Sequence, residues 1–314
     1  MRFGGHETFA IREGWLHKGL MLVAKQPELV DHELVADSLG VGRNMAKSIK
    51  HWLVATGLTE RPLLPNSRKR DRMRLTRFGE VVLEHDPYFL EQGTWFALHV
   101  NLVNNEEHAA AWSWFFNHFL NVRFERATCN EALRRYLVAY DKRVPTPKTL
   151  QRDIACLLAS YSKDVPPTVS DPEDATESPF RDLGLIVHFR DSGSFGRERL
   201  TAACVPAELV PFALLKARDQ APNANGVAEV SVRDACLMPS GPGRCFNMEL
   251  EAFHELCVRA EMELGGGNFQ LASHAGDRFI RFEATSADEW LKNYYIRLKR
   301  SVAYYKRLKR RVAA

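Results

Sequence analysis

The sequence lacks the features that would place it in a membrane or in an oxidising compartment. It has no apolar run near the roughly 18 residues that a membrane-spanning helix needs, and its start lacks the apolar core of a signal peptide. Its six cysteines form no CxxC pair and no Cys/His spacing of a zinc site. We therefore expect a cytoplasmic protein with reduced cysteines and no membrane partner.

Signatures of known nucleases are missing as well. The chain contains no PD-(D/E)xK-like run, no HNH motif and no HxH cluster of the relaxase kind. The glycines at residues 265–267 lack the following Lys-Ser/Thr of a phosphate-binding loop. Motifs alone therefore assign no catalytic class and no metal ligands.

Composition indicates an ordinary globular protein with an uneven charge. The 314 residues are 45% hydrophobic, which is enough for a core divided over two or three domains. The net charge is +4, yet residues 1–80 carry 14 basic against 9 acidic residues and residues 292–311 carry 9 against 0. The remainder carries 20 against 30. Cations at both ends of an otherwise acidic chain predict two surfaces for a polyanion.

The stretch at residues 31–77 has the pattern of a winged helix-turn-helix. We predict a first helix over residues 33–39, a turn at 40–42 and a second helix over 43–56. The apolar residues at helical spacing that predict the buried face of the second helix are Val41, Met45, Ile49, Trp52 and Leu53. The opposite face, predicted to contact DNA as a recognition helix does, carries Arg43, Asn44, Lys47, Ser48 and Lys50.

A basic loop between two short strands should form the wing. We predict strands at residues 60–64 and 72–76, joined by a loop. The wing cations predicted to contact DNA are Arg68, Lys69, Arg70 and Arg72. Because a wing tip supports no core, phosphate contacts explain these cations better than packing does. The alternative is a solvated charged loop on a domain that contacts only protein.

The first residues of the chain combine a flexible glycine pair with reactive side chains. His6 and Glu7 follow Gly4 and Gly5, and Arg12 lies further along. One interpretation is a site for proton transfer or metal binding, and the other is a structural Glu7–Arg12 ion pair that anchors the terminus. The structural interpretation is preferred, because one His-Glu dipeptide is a weak catalytic signal. If the protein is an enzyme, its predicted catalytic residues are His6, Glu7 and Arg12.

Two short motifs carry a resemblance to a known family. They are FGGHETF at residues 3–9 and LGVGRNM at residues 39–45, with weaker similarity at 150–154 and at Tyr294 and Tyr295. They resemble the SspB family of bacterial proteins, which is encoded beside DNA phosphorothioation genes. The resemblance implies double-stranded DNA binding, nicking of DNA, and partners such as an ATPase or a sulfur-transfer enzyme. It implies no catalytic residue set.

The rest of the chain predicts a mainly α fold with small β wings (α+β). We expect tandem winged helix-turn-helix-like domains joined by a helical middle region. The predicted domains are residues 1–90, residues 91–180 with an acidic linker at 162–178, and residues 181–314. The second winged domain is predicted from helices at 207–219, 231–236 and 247–263 and a hairpin at 269–273 and 278–283. A final basic helix over residues 287–314 supplies three more DNA-binding candidates, Lys299, Arg300 and Arg307.

Three further features allow two interpretations each. The aromatic helix predicted at residues 106–120 could stack on bases, but core packing is preferred. Asp153, in a helix predicted at 148–159, could hold a divalent metal, but a solvated aspartate is preferred. Tyr294 or Tyr295 could form a covalent link to DNA, but a core role is preferred.

Two functions from different classes are consistent with these features. The first is a DNA nickase of a phosphorothioation system, which would use a divalent metal such as Mg²⁺ or Mn²⁺. The second is a non-catalytic DNA-binding module or transcriptional regulator that recruits partner proteins and needs no cofactor. The sequence leaves open whether the chain forms a homodimer.

Overall fold

The computed structural model describes residues 1–28, 31–61, 72–167, 177–217, 226–265, 267–274 and 276–312, with side chains to residue 301. The helices of these ranges are α1 (Trp15–Lys25), α2 (His32–Leu39), α3 (Arg43–Ala55), α4 (Arg77–His85), α5 (Gln92–Val103), α6 (Ala110–His118), α7 (Arg126–Ala139), α8 (Pro147–Tyr161), α9 (Leu209–Lys216), α10 (Val232–Leu237), α11 (Pro242–Cys245), α12 (Leu250–Leu264) and α13 (Ala287–Val312). The strands are β1 (Thr59–Glu60), β2 (Arg74–Leu75), β3 (Arg123–Phe124), β4 (Ser162–Val165), β5 (Ile186–Phe189), β6 (Ser194–Arg197), β7 (Val227–Ser231), β8 (Phe269–His274) and β9 (Asp277–Glu283).

The predicted helix-turn-helix is formed by α2 and α3. The Asp31 side chain accepts hydrogen bonds from the backbone N–H groups of Glu33 and Leu34, which caps the start of α2. Gly40 ends α2 in a left-handed conformation with φ of 66°. The two helices pack against each other, and α1 covers α3. The first helix, the turn and the second helix are therefore confirmed.

A short antiparallel strand pair follows the helix-turn-helix. Thr59 of β1 pairs with Leu75 of β2, so both strands are shorter than predicted. Residues 62–71 lie outside the described residues, and with them the predicted wing residues Arg68, Lys69 and Arg70. The winged arrangement accordingly stays a prediction, although its flanking strands are present.

A central helical layer connects the two ends of the chain. Helix α5 is mainly apolar and almost wholly buried between α6, α9 and α13, as expected for a helix inside a core. The aromatic side chains of α6 are also buried, with Trp112 1%, Phe115 0% and Phe116 1% exposed. Core packing is thus the role of the aromatic helix.

A four-stranded sheet replaces part of the predicted acidic linker. Its strand order is β3-β6-β5-β4, with β4 parallel to β5 and the other pairs antiparallel. Ser162 continues directly from the end of α8 and pairs with Ile186, so residues 162–165 form an edge strand. The prediction of a linker was wrong for residues 162–165. It was based on prolines and acidic residues that lie further along the chain, and the predicted segment was begun too early, at residue 162. Residues 168–176 lie outside the described residues.

The C-terminal part contains the predicted hairpin and one strand that was not predicted. Strands β8 and β9 pair as a hairpin, and β7 adds to β9 to give the order β7-β9-β8. Helix α13 packs against α9, α4 and α5, which joins it to the N-terminal half of the chain. The fold is thus α+β and mainly helical, while the domain boundaries remain a prediction. Among the described residues, no helix combines the length and apolarity needed to cross a membrane.

Candidate nucleic-acid interface

The first residues of the chain fold into a turn, residues 3–9, that is fixed between α3 and α8. Gly4 N–H donates to Asp153 Oδ1 at 2.9 Å, and His6 Nε2 lies 3.2 Å from the same oxygen. The N–H of Thr8 donates to His6 Nδ1 at 3.0 Å. Since Nδ1 accepts this bond, the hydrogen on Nε2 points to the carboxylate. Both ring nitrogens of His6 are therefore occupied.

Aromatic side chains close the His6 ring off from solvent. His6 is 1% exposed and stacks on Trp52 at a centroid distance of 6.1 Å, with Trp112 at 5.8 Å. His51 lies beside it, and burial lowers the pKa of His51 well below its ordinary value. A Cβ at Gly5 would stand 2.5 Å from the His51 ring, so only glycine fits there. His6 is consequently a core residue, and in this arrangement it cannot reach a substrate.

Asp153 differs from both of its predicted roles. It is 2% exposed, so it is not solvated, and one of its oxygens is shared by Gly4 and His6. Its function is to anchor the N-terminal turn to α8, because a buried carboxylate is stable only when it is paired and hydrogen-bonded.

Glu7 and Arg12 do not form the predicted ion pair. Glu7 Oε1 instead lies 3.9 Å from Lys47 Nζ on α3, and the Glu7 side chain is 38% exposed. Its backbone is left-handed with φ of 49°, a conformation that costs a non-glycine residue energy. The Arg12 guanidinium lies over Phe9 and Trp15, at 5.7 and 5.4 Å from their ring centroids. The three predicted catalytic residues therefore point in different directions: His6 is buried against α3, Arg12 packs on Phe9 and Trp15, and Glu7 is partly exposed beside Lys47 of α3.

The exposed face of α3 is narrower than predicted. Arg43 is 62% exposed in a 3.1 Å ion pair with Glu33, and Lys47 Nζ lies 3.4 Å from the exposed Asn44. Ser48 and Lys50 are only 0% and 4% exposed, which corrects their assignment to the free face. They are covered because α3 packs against α1, α2 and β1 together, so only its first turns remain free.

Burial changes the ionisation of Lys50. It lowers the Lys50 pKa to about 8, with help from the nearby charge of Arg61. The Lys50 Nζ lies 3.5 Å from His32 Nδ1. Lys50 thus belongs to the packing beneath α3.

Two exposed cations near the N-terminal turn were not among the predicted DNA contacts. Arg2 is exposed, and its charge acts on the ring of His51, which places it near the N-terminal turn. Arg152 is exposed on α8 next to Asp153. The position of Arg152 beside a buried aspartate could have identified it. The burial of Asp153, however, depends on its contact with His6, which lies 147 positions away in the sequence. We call the exposed and partly exposed residues Arg2, Glu7, Arg43, Asn44 and Lys47 the α3 surface.

The C-terminal candidates lie in a different part of the fold. Lys299 and Arg300 are exposed, with Lys299 Nζ 3.1 Å from His85 Nδ1 at the end of α4. Arg307 lies on α13, but its side chain is outside the described part of the structure. Arg72 is exposed just before β2.

Tyr294 and Tyr295 pack α13 onto α5. The hydroxyl of Tyr295 shares a 2.6 Å hydrogen bond with Thr94 Oγ1, and the Tyr294 hydroxyl accepts from Gly93 N–H at 3.3 Å. Burial raises the pKa of Tyr294 to about 12 and raises that of Tyr295 further. A core role is thus the one that the structure supports.

Arg12 borders an open cleft of about 890 Å³ away from His6. The cleft also includes Tyr88, Lys163 and Arg181. Its cations are matched by acids, since Lys163 pairs with Asp182 at 3.2 Å and Arg181 pairs with Glu177 at 2.5 Å. This balanced charge makes the cleft a poorer surface for a polyanion than the α3 surface.

The described residues do not fit a preformed metal cage. Within them, no three side chains of histidine, cysteine, aspartate or glutamate come together as a ligand group. The closest acid–histidine pairs are already engaged with each other, as Asp153 with His6 and Asp164 with His188 at 2.8 Å.

Comparisons with known proteins extend the resemblance over nearly the whole chain. Residues 3–295 match the model of a family described as a protein of unknown function (DUF4007). No curated protein matches the chain. A magnesium ion-bound SspB crystal structure matches with a TM-score of 0.80 and 25% identity, covering 93% of this chain and 87% of that chain. An SspB crystal structure matches with a TM-score of 0.78 and 25% identity, covering 95% and 87%. The resemblance to SspB predicted from the sequence is confirmed.

Proposed function

The chain belongs to the DUF4007 family, and we propose that it is a DNA-binding component of a bacterial DNA phosphorothioation system. The observation that carries this proposal is the likeness to SspB along almost the full length of both chains. We further propose that the protein nicks DNA, which would give access for sulfur insertion into the backbone.

The α3 surface is the proposed contact with double-stranded DNA. Arg43 and Lys47 lie one helical turn apart on the free start of α3, with Asn44 between them. An exposed ion pair such as Arg43–Glu33 contributes little, so the arginine can exchange its carboxylate for a phosphate. The basic wing residues Arg68, Lys69, Arg70 and Arg72 would extend this contact, and Lys299, Arg300 and Arg307 would form a second one.

Glu7 is the proposed acid–base residue of the nicking reaction. It lies on the α3 surface, and Lys47 beside it could stabilise negative charge on a phosphate. A carboxylate in that position could accept a proton from an attacking water. Its left-handed backbone fits a residue held in place for function, and the Asp153 anchor of the N-terminal turn supplies that support.

A plasmid-nicking assay tests the catalytic part of the proposal. Purified protein should convert supercoiled plasmid to the open circular form in a titration of Mg²⁺ and Mn²⁺. Glu7→Ala should abolish nicking and keep DNA binding. The matched control is Glu229→Ala, an exposed glutamate on β7, a strand that packs on β9 and α10. Equal nicking by wild type and Glu7→Ala would remove Glu7 from the mechanism.

The alternative function is a non-catalytic DNA-binding module that delivers partner proteins. The burial of His6, with both ring nitrogens occupied, favours it, because the first predicted catalytic histidine has no access to DNA. Salt-dependent DNA binding without cleavage under any metal condition would support this alternative. An ATPase or sulfur-transfer enzyme would then be the partner, and co-purification with such proteins is the corresponding measurement.

A further inference from the structure

A small pocket far along the chain from the α3 surface brings three arginines together. It has a volume of about 300 Å³ and is lined by Arg197, Arg199 and Arg244, together with Asn247 and Glu249. Arg197 ends β6, Arg199 follows two residues later, and Arg244 lies in α11. The strand and the short helix thus turn their cations towards one cavity.

Arg197 is the most buried of the three and has no acidic partner among the residues that the structure describes. It is 7% exposed, and its Nε donates to Asn247 Oδ1 at 3.1 Å. Its Nη1 donates to the carbonyl oxygens of Phe115 at 3.2 Å and of Phe119, which ends α6. Among the described residues, Nη2 has no hydrogen-bond partner. One edge of the guanidinium is therefore structural, and the other is left for the pocket.

The described residues give the charge of Arg197 two aromatic faces, the rings of Phe115 and Phe116 at 5.0 and 5.6 Å, and no carboxylate. Burial lowers its pKa to about 10, and the neighbouring charges of Arg199 and Arg244 lower it in the same direction. The group still carries its proton at neutral pH. A buried cation that contacts neutral oxygens and aromatic rings and has two further cations nearby gains stability from an anion beside it.

Arg199 and Arg244 are available at the rim of the pocket. Arg199 is 45% exposed and pairs with Glu249 at 3.4 Å, a contact that an anion can replace. Arg244 uses Nε to donate to the carbonyl of Leu237 at 3.0 Å, which orients its fork. Arginine forks match the oxygen geometry of phosphate with two parallel hydrogen bonds.

We propose that this pocket binds a phosphate monoester group. A phosphate within a nucleic-acid backbone is flanked by sugars on both sides, so it would not reach the recessed Arg197. A terminal phosphate, at a strand end or on a free mononucleotide, is linked to a sugar on one side only. Its free oxygens can therefore enter the pocket. The three arginines and the one carboxylate of Glu249 leave the pocket with two net positive charges. The two negative charges of the phosphate balance them. The site does not depend on the proposed DNA contact at α3.

Binding is tested on the full chain by calorimetry and thermal shift with three probes. The probes are inorganic phosphate, AMP, and an oligonucleotide with either a 5′-phosphate or a 5′-hydroxyl end. Phosphate or AMP should raise the melting temperature of the wild-type protein, since a ligand that binds only the folded state stabilises it. Preference for the phosphorylated oligonucleotide assigns a strand end, and AMP binding without that preference assigns a free nucleotide.

Rim variants connect the binding to the arginines. Arg199→Gln and Arg244→Gln should each weaken binding by about 10- to 100-fold, the change expected for losing one hydrogen bond to a charged group. Both residues are exposed enough that the fold should persist, and circular dichroism checks this. Arg233→Gln, an exposed arginine on α10 outside the pocket, should bind as wild type. The proposal is overturned if no probe binds, or if the double rim variant binds as tightly as wild type.

Discussion

Removing the two exposed cations of α3 should weaken DNA binding and leave the fold intact. The change is Arg43→Gln together with Lys47→Gln. Arg43 is 62% exposed beside Glu33, and Lys47 is 32% exposed beside Glu7. Exposed ion pairs contribute roughly 0–1 kcal/mol each, so the melting temperature should change little.

The size of the effect follows from the release of counterions from DNA. Each phosphate contact contributes a slope of about −0.9 to the dependence of log K on log salt, so losing two contacts should reduce the slope by about 1.8. Raising salt fourfold, from about 50 to about 200 mM, should then shrink the affinity gap between wild type and variant by about 12-fold. A gap that is constant with salt would mean that the two residues do not contact phosphate.

Fluorescence anisotropy with a labelled duplex measures both affinity and slope. The matched control is Arg134→Gln together with Arg135→Gln on α7, which removes the same charge from side chains that are 51% and 68% exposed. If this control loses as much affinity and slope as the α3 variant, only the overall charge matters and the α3 surface is not the contact.

Three further outcomes concern buried polar groups that hold the fold together. Asp153→Asn should lower the free energy of unfolding by roughly 1–3 kcal/mol in urea denaturation, because it weakens the buried bonds to Gly4 and His6; an unchanged midpoint would contradict the anchoring role. Burial lowers the pKa of His99 from 6.5 to about 4. As pH drops, the imidazole is therefore protonated in the unfolded chain before it is protonated in the folded one, and the free energy of unfolding should fall by about 3 kcal/mol between pH 6.5 and 4. That part of the pH profile should flatten in His99→Gln, and an equally steep profile would show that other groups cause it. Tyr295→Phe should cost about 1 kcal/mol by removing the bond to Thr94, measured in the same denaturation, while a neutral change would mean that α13 docks without this bond.

Local signals predicted the helix-turn-helix well. The glycine turn at residues 40–42 and the apolar spacing of α3 are signals that act within a few residues of one another, so the sequence shows them directly. The same reasoning overestimated the free face of α3. Helical periodicity marks the buried stripe of a helix, but the width of that stripe depends on how many elements pack around the helix. Because α1, α2 and β1 all pack on α3, Ser48 and Lys50 are part of the interior.

Contacts between distant residues could not be predicted from the sequence. Asp153 meets His6 across 147 positions, and Arg197 meets Phe115 across 82. Neither aspartate nor arginine carries a local signal of its partner. Strand β4 was missed for a related reason, since its partner β5 lies 24 residues further along and its own sequence contains Lys163 and Asp164. Sequence patterns therefore give the residue types of the candidate site, and the fold determines which of these residues come together.

Hydrogen–deuterium exchange with and without a bound duplex tests the central claim most directly. The account predicts that DNA slows exchange at the start of α3, around Arg43 to Lys47, and in the N-terminal turn around Glu7. Protection confined to other helices, with binding confirmed by anisotropy in the same sample, would contradict the α3 surface as the DNA contact. An absence of duplex binding at low salt would contradict the proposed function itself.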